Sequence, residues 1–199
     1  MPKVLSTEDI ADFRERLCDA AEKQFGAHGL EGVTMRALAA ALGVSPMTPY
    51  RYFKDKEEIV AAVQARAFDR FAAALEAATH ADPAKFARNA SNAYVRFAFD
   101  NPDAYRLMFD IAQAEQDQYP ALIAAAERAR KTMTGYVRAL VDAGFIEGDP
   151  ELIGHVYWAT THGLVMLKLA NKLSPHLTFE AIGAEATRAL SEGFRPKRH

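Results

Sequence analysis

Cysteine is almost absent from this chain of 199 residues: Cys18 stands alone. No disulfide can form within the chain, and a reducing compartment is the expected setting. Glycine (11) and proline (9) are also scarce, which excludes collagen-like and low-complexity classes. The opening run Met1-Pro2-Lys3-Val4-Leu5-Ser6 lacks the apolar core of a secretory leader. The longest apolar stretch, 152–170, contains His155, His162 and Lys168. A bilayer span of about 20 residues would bury all three, so no membrane partner is expected and the expected localisation is cytoplasmic. An excess of one charge is missing too, since 24 Lys and Arg nearly balance 26 Asp and Glu. That balance excludes a uniformly basic surface, although an average can hide a local basic patch.

Alanine dominates instead, with 39 occurrences, and it is the residue most easily held in a helix. No alternating apolar run is long enough for a strand. Asp82-Pro83, Asn101-Pro102 and Asp149-Pro150 each place a capping side chain before a proline, the signature of a helix start. The fold class expected is all-α, with about nine helices at 7–27, 34–41, 46–52, 56–79, 83–99, 102–114, 119–143, 150–172 and 178–192. In the first, Ile10, Phe13, Leu17, Ala21 and Phe25 share one face. Glu8, Asp12, Glu15, Asp19 and Glu22 share the other, read as a solvated acidic stripe.

Residues 34–56 carry the functional signal. Thr34 can cap a short helix whose inner face is Met35, Leu38, Ala39 and Leu42. Gly43 supplies a turn with positive φ, and Ser45 can cap a second short helix. The small Ala39, four residues before the glycine, permits close approach, giving a helix-turn-helix. The segment then carries Arg36, Arg51, Lys54 and Lys56 against Asp55 alone. Hydroxyls of Thr34, Ser45, Thr48, Tyr50 and Tyr52 add donors suited to phosphate oxygens. Arginine can read guanine by paired hydrogen bonds, and Thr or Met can touch a thymine methyl.

The run Phe25-x3-Gly29, Thr34-Met35 to Leu42-Gly43-Val44-Ser45, and Thr48-Pro49-Tyr50-Arg51-Tyr52-Phe53-Lys54-Asp55-Lys56-Glu57 resembles the N-terminal domain of TetR-type transcriptional regulators. Further on, Trp158-x3-His162-Gly163, preceded by Asn101-Pro102-Asp103-Ala104-Tyr105-Arg106-Leu107-Met108-Phe109, resembles a subgroup with a Trp-x3-His-Gly signature. The resemblance implies a three-helix DNA-binding domain at 1–55 and a helical ligand-binding and dimerisation domain at 56–199. It implies a homodimer whose two heads enter successive major grooves of a palindromic double-stranded operator. Thr34, Ser45, Tyr50, Tyr52 and Lys56 correspond to backbone contacts, and Arg36, Met47, Thr48 and Arg51 to positions facing the groove. Lys54 joins them as a DNA-binding residue. One departure matters: Pro49 stands where such regulators usually carry leucine. Proline has no N–H to donate to the Ser45 carbonyl, so the regular helix is expected to begin at Pro49 with Thr48 as its cap.

Residues 61–199 carry 16 basic and 16 acidic groups, leaving no net pull on DNA. Their aromatics and methionines follow core spacing, and some are candidates to line an apolar ligand cavity. The candidates are Phe71, Tyr94, Phe97, Tyr105, Met108, Phe109, Met133, Tyr136, Trp158 and His162; Trp158 and His162, one turn apart, offer the polar handles. His155 and His162 stand seven apart with no further ligand, so no metal site is expected. Cys18 is expected to be buried and inert. Gly163 would permit close helix approach, and Leu152, Val156, Ala159, Met166 and Leu173 with Phe179, Ile182 and Leu190 would form a dimeric four-helix bundle from the last two helices. No Walker loop, Gly-x-Gly-x-x-Gly, Gly-x-Ser-x-Gly or His-Glu-x-x-His is present, so neither an enzyme nor a cofactor is expected. The expected function is a ligand-responsive DNA-binding regulator, a repressor released by a small apolar or aromatic effector. The alternative is an all-α small-molecule sensor or carrier that has lost DNA binding.

Overall fold

Residues 6–110 and 118–196 are described by the computed structural model. Among them are eight α-helices and one short 3-10 turn, with no strand. The helices are α1 (Thr7–Gly32), α2 (Met35–Ala41), α3 (Lys56–Glu76), α4 (Pro83–Asp100), α5 (Pro102–Asp110), α6 (Pro120–Asp142), α7 (Pro150–Leu169) and α8 (Phe179–Gly193); the 3-10 turn is Pro49–Arg51. The end of the helix expected at 102–114 falls outside the described residues.

Local chemistry sets most of the boundaries. Ser6 and Asp9 form a reciprocal capping box at the start of α1. Asp82 accepts from the N–H groups of Ala84 and Lys85, and Asp149 from Glu151 at 2.8 Å, each just ahead of its proline. The Lys85 N–H, then that of Ala84, holds the Asp82 carboxyl below its ordinary range despite opposing desolvation. Asn101 behaves differently from the capping role expected of it before Pro102. Its amide donates back to the Phe97 carbonyl at 3.1 Å, so it closes α4. The helical run of α1 passes through a break at Gly29, where φ is +68° and ψ is −172°, a conformation essentially reserved for glycine.

By packing the chain divides into two units, one of Met1–Asp69 with Asp103–Ala126 and one of Arg70–Pro102 with Glu127–His199. The first is built on Leu17, Cys18, Ala21, Phe25, Val33, Met35, Leu38, Phe53, Ile59, Val60 and Val63, all buried. Leu107, carried on α5, is buried in the same cluster. Gln64 of α3, itself buried, donates to the Leu107 carbonyl at 2.9 Å. At the other end of α5, Gly26 lies so close to Asp103 that a Cβ there would collide with the carboxylate. A small gap of about 10 Å³, lined by Phe25, Leu30, Val33, Val60, Val63 and Leu107, remains in this core. It is at the lower limit for holding one water and is wholly apolar.

Cys18 is 2% exposed, and burial pushes its thiol above the ordinary value. The acidic stripe of α1 is more than a solvated face. Arg66 of α3 pairs with Asp19 at 2.6 Å and Glu15 at 3.4 Å, and also donates to the Glu15 carbonyl at 3.3 Å. The second unit contains a cluster of Val137, Ile146 and Ile153, against which Tyr136, Tyr157 and Phe194 pack. There α6 and α7 meet closely at Gly154, where a Cβ would lie 2.8 Å from Thr134 Cγ2.

Leu107→Ala should lower unfolding free energy by about 2–5 kcal/mol, the usual cost of truncating a buried leucine. Denaturant unfolding followed by circular dichroism measures it.

Candidate nucleic-acid interface

Helix α2 begins at Thr34, whose Oγ1 accepts from the Ala37 N–H at 3.1 Å. It ends in a two-bond glycine cap: Val44 N–H donates to the Ala39 carbonyl at 3.0 Å and Gly43 N–H to that of Ala40 at 3.1 Å. Gly43 takes φ +66°, as expected of the turn residue. Leu38 and Ala39 are fully buried, so the small side chain does lie against the core.

The segment after Ser45 differs from the α-helix expected at 46–52. Thr48 N–H donates to the Ser45 carbonyl at 2.8 Å, the bond that Pro49 is unable to make. A new turn then starts at Pro49, with Arg51 N–H to Thr48 O at 3.1 Å and Tyr52 N–H to Pro49 O at 2.9 Å. These are 3-10 bonds, and the element is three residues long. Thr48 does occupy the position before it, but with helical φ/ψ of −64° and −45° and no side-chain capping bond. Ser45 is therefore not a helix cap; its Oγ accepts only from the Met47 N–H, at 3.4 Å. Pro49 itself is buried.

This turn pushes side chains outward. Met47 is 68% and Tyr50 50% exposed. Thr34, Arg36, Ser45, Arg51 and Lys54 are exposed, while Thr48, Tyr52 and Lys56 are half-buried. Lys54 lies 3.6 Å from Asp55 Oδ2 with 81% of its side chain in solvent. Eight of the ten candidates lie between Ser45 and Lys56, around the turn and the start of α3, and the other two, Thr34 and Arg36, lie at the start of α2. A side chain that composition did not point to also reaches this stretch: Arg14 of α1 contacts Tyr52, Phe53 and Glu58. Its sequence signal was weak, an arginine between Phe13 and Glu15 with Arg16 just beyond.

The aromatic candidates divide between the two units. In the first, Tyr105 and Met108 are buried and Phe109 packs edge-on against Tyr105 at 5.0 Å and Phe68 at 6.2 Å. In the second, Phe71 sits edge-on to Tyr94 at 5.1 Å and to Phe97 at 5.2 Å, all three buried. Met133 is buried there as well. Tyr136 stands between Phe86 and Tyr157. Burial first, and then the phenols of Tyr157 and Tyr94, hold its hydroxyl well above the ordinary tyrosine value, so it remains a neutral donor. Trp158 meets His155 edge-on at 5.7 Å, and His162 lies one turn further along α7, half-buried. Among the described residues no group of three or more His, Cys, Asp or Glu could hold a metal ion, and no helix is long and apolar enough to cross a membrane.

Two family models match the chain: bacterial regulatory proteins of the tetR family over residues 17–63, and the tetracyclin repressor-like C-terminal domain over 87–191. The HTH-type transcriptional regulator BetI of Rhizobium meliloti (strain 1021) is 30% identical over 199 residues, a match spanning 98% of this chain and 91% of that protein. The TetR family transcriptional regulator PfmR from Thermus thermophilus has a similar structure, with TM-score 0.69 and 26% identity over 92% of this chain and 100% of that one. A protein of unknown function from Rhodococcus sp. RHA1 shares the fold with TM-score 0.81 at 24% identity, over 98% of this chain and 100% of that one.

The glycine turn has open space around it, since a Cβ at Gly43 would meet nothing within 4 Å. Gly43→Ala should therefore cost only the left-handed backbone term, about 1–2 kcal/mol. Denaturant midpoints of the two proteins give the difference.

Proposed function

The chain belongs to the TetR family of bacterial transcriptional regulators, and from that premise we propose that it is an effector-released repressor binding a palindromic operator as a homodimer. The observation that supports this best is the 3-10 turn, which holds Met47 and Tyr50 out in solvent, with Arg51 and Lys54 exposed close by in the chain. The Met47 thioether and the Arg51 guanidinium suit a major groove, where thymine methyls and guanine edges are presented, and the Tyr50 hydroxyl suits a phosphate oxygen. Residues 1–55 serve as the DNA-binding domain and 56–199 as the regulatory domain. Arg36, Met47, Thr48 and Arg51 face the bases. Thr34, Ser45, Tyr50, Tyr52, Lys54 and Lys56 hold the phosphate backbone.

The dimer forms through α7 and α8. Within one chain α8 has no buried residue, and Leu152 and Leu167 of α7 are 63% and 48% exposed. A Cβ at Gly163 would meet nothing within 4 Å, so a helix of a second copy has room to approach there. The effector is a small apolar or aromatic molecule bound among Phe71, Tyr94, Phe97, Met133, Tyr136, Trp158 and His162. Its binding shifts α3, and α5 follows through the Gln64–Leu107 bond, so the heads change spacing.

Two variants separate base reading from backbone attraction, using duplexes enriched by the wild-type protein from a random-sequence library. Arg51→Ala should cost about 1–3 kcal/mol and relax sequence preference at its position. Lys56→Ala should weaken enriched and scrambled duplexes alike and lower the slope of log affinity against log salt by about one per head. A wild-type protein that enriches no duplex would sink the repressor reading. The single tryptophan, Trp158, gives the effector readout. Its emission should change on titration with the effector, and operator DNA should weaken that titration by the factor by which effector weakens operator binding.

A further inference from the structure

The 3-10 turn is too short to hold itself, and a side chain from α1 closes its exit. One guanidinium nitrogen of Arg14 donates to the Tyr52 carbonyl. The other lies 3.3 Å from Glu58 Oε1, and the guanidinium carbon sits 3.8 Å from the centre of the Phe53 ring. The second oxygen of Glu58 accepts from the Lys54 N–H at 2.7 Å, and the Glu58 N–H donates to Asp55 Oδ1 at 2.9 Å. Beside Arg14, Phe13 packs on Tyr52 with ring centres 4.4 Å apart. Three successive residues, Tyr52, Phe53 and Lys54, are thereby fixed at a carbonyl, a ring and an N–H.

We propose that Arg14 is a positioning residue for sequence reading: it sets the orientation of the turn that carries Thr48 and Arg51, without touching DNA itself. The inference rests on the DNA-binding reading above. Chemistry favours arginine for the task. Its planar fork can serve a carbonyl and a carboxylate at once while lying over an aromatic ring, whereas lysine offers one point charge. The Arg14 and Glu58 side chains are 38% and 30% exposed, and an ion pair this open adds little to folding stability. What the arrangement supplies is geometry just past the last bond of the turn, from the Phe53 N–H to the Pro49 carbonyl at 3.0 Å.

The test uses the full chain, a duplex enriched by wild-type protein from a random-sequence library, and a scrambled duplex of equal length. Arg14→Lys keeps the charge and loses the fork, and Glu58→Gln loosens the far side of the clamp. Arg14→Lys is expected to weaken the enriched duplex on the order of tenfold, a loss the size of one well-placed base contact. Affinity for the scrambled duplex, the salt slope and the thermal midpoint should stay at wild-type values. Adding Glu58→Gln to Arg14→Lys should cost less than the two separate losses together, because both act through one clamp. Wild-type binding of the enriched duplex by Arg14→Lys overturns the inference. So does a salt slope lowered by about one per head, which would make Arg14 a phosphate contact. Equal weakening of both duplexes with a lowered midpoint overturns it too, as a folding role. If the wild-type protein enriches no duplex, the DNA-binding reading fails first, and that result is visible before any variant is made.

Discussion

A proline nitrogen has no hydrogen to donate, and the DNA-reading end of this protein is shaped around that fact at Pro49. A regular helix from Ser45 would need the fourth residue to bond back to the Ser45 carbonyl. Thr48 makes that bond instead, at 2.8 Å, and the chain restarts at the proline in a tighter winding. The result is one turn with its ring buried and its neighbours Met47 and Tyr50 thrown outward. A single 3-10 turn has poor internal hydrogen bonding and little stability of its own. Its shape depends on what surrounds it: the glycine cap of α2 on the entry side, and Phe13, Arg14 and Glu58 on the exit side.

Electrostatics follow the same local logic. The chain as a whole is nearly neutral, and residues 1–60 hold 8 basic and 10 acidic groups. Two of those acids, Glu15 and Asp19, are occupied by Arg66, so part of the negative charge of α1 serves to tie α1 to α3. The basic groups of the turn form a small patch in a neutral field. Non-specific attraction to DNA scales with the number of phosphates neutralised, and a patch this small offers few cations for it. Under the proposed function, fidelity of geometry in each head and two heads acting together would supply what bulk charge does not.

How much could be read from residues alone depended on distance along the chain. Thr34, Gly43, Asp82 and Asp149 act on backbone groups within a few positions of themselves, so their roles were legible. The consequence of Pro49 was half legible. A missing N–H foretold where the regular winding begins, but not that it would be a 3-10 turn with Thr48 in helical φ/ψ and no cap. Arg14, Gln64 and Arg66 act across roughly 40 to 50 positions, on partners that only the tertiary fold selects, and nothing in their immediate neighbours announces them. Close approach of a second copy was anticipated at Gly163; within one chain it is Gly154 that crowds Thr134 and Gly26 that crowds Asp103, and neither contact was legible. Phe71, Tyr94, Phe97 and Tyr105 were legible as buried residues, and the division of the aromatic candidates between two packing units was not.

Leu107 has a practical meaning for how this molecule can be cut and recombined. It lies far beyond the 3-10 turn in sequence, yet its side chain belongs to the same cluster as Phe25, Val33, Val60 and Val63. A fragment ending after the first three helices would carry an unfilled apolar hollow and a Gln64 amide stripped of its carbonyl partner. Chimeras that graft this head onto another regulator's body therefore have to bring the α5 segment with it, or supply a leucine at the same place. The modular unit, in the sense an engineer would use, is discontinuous in sequence.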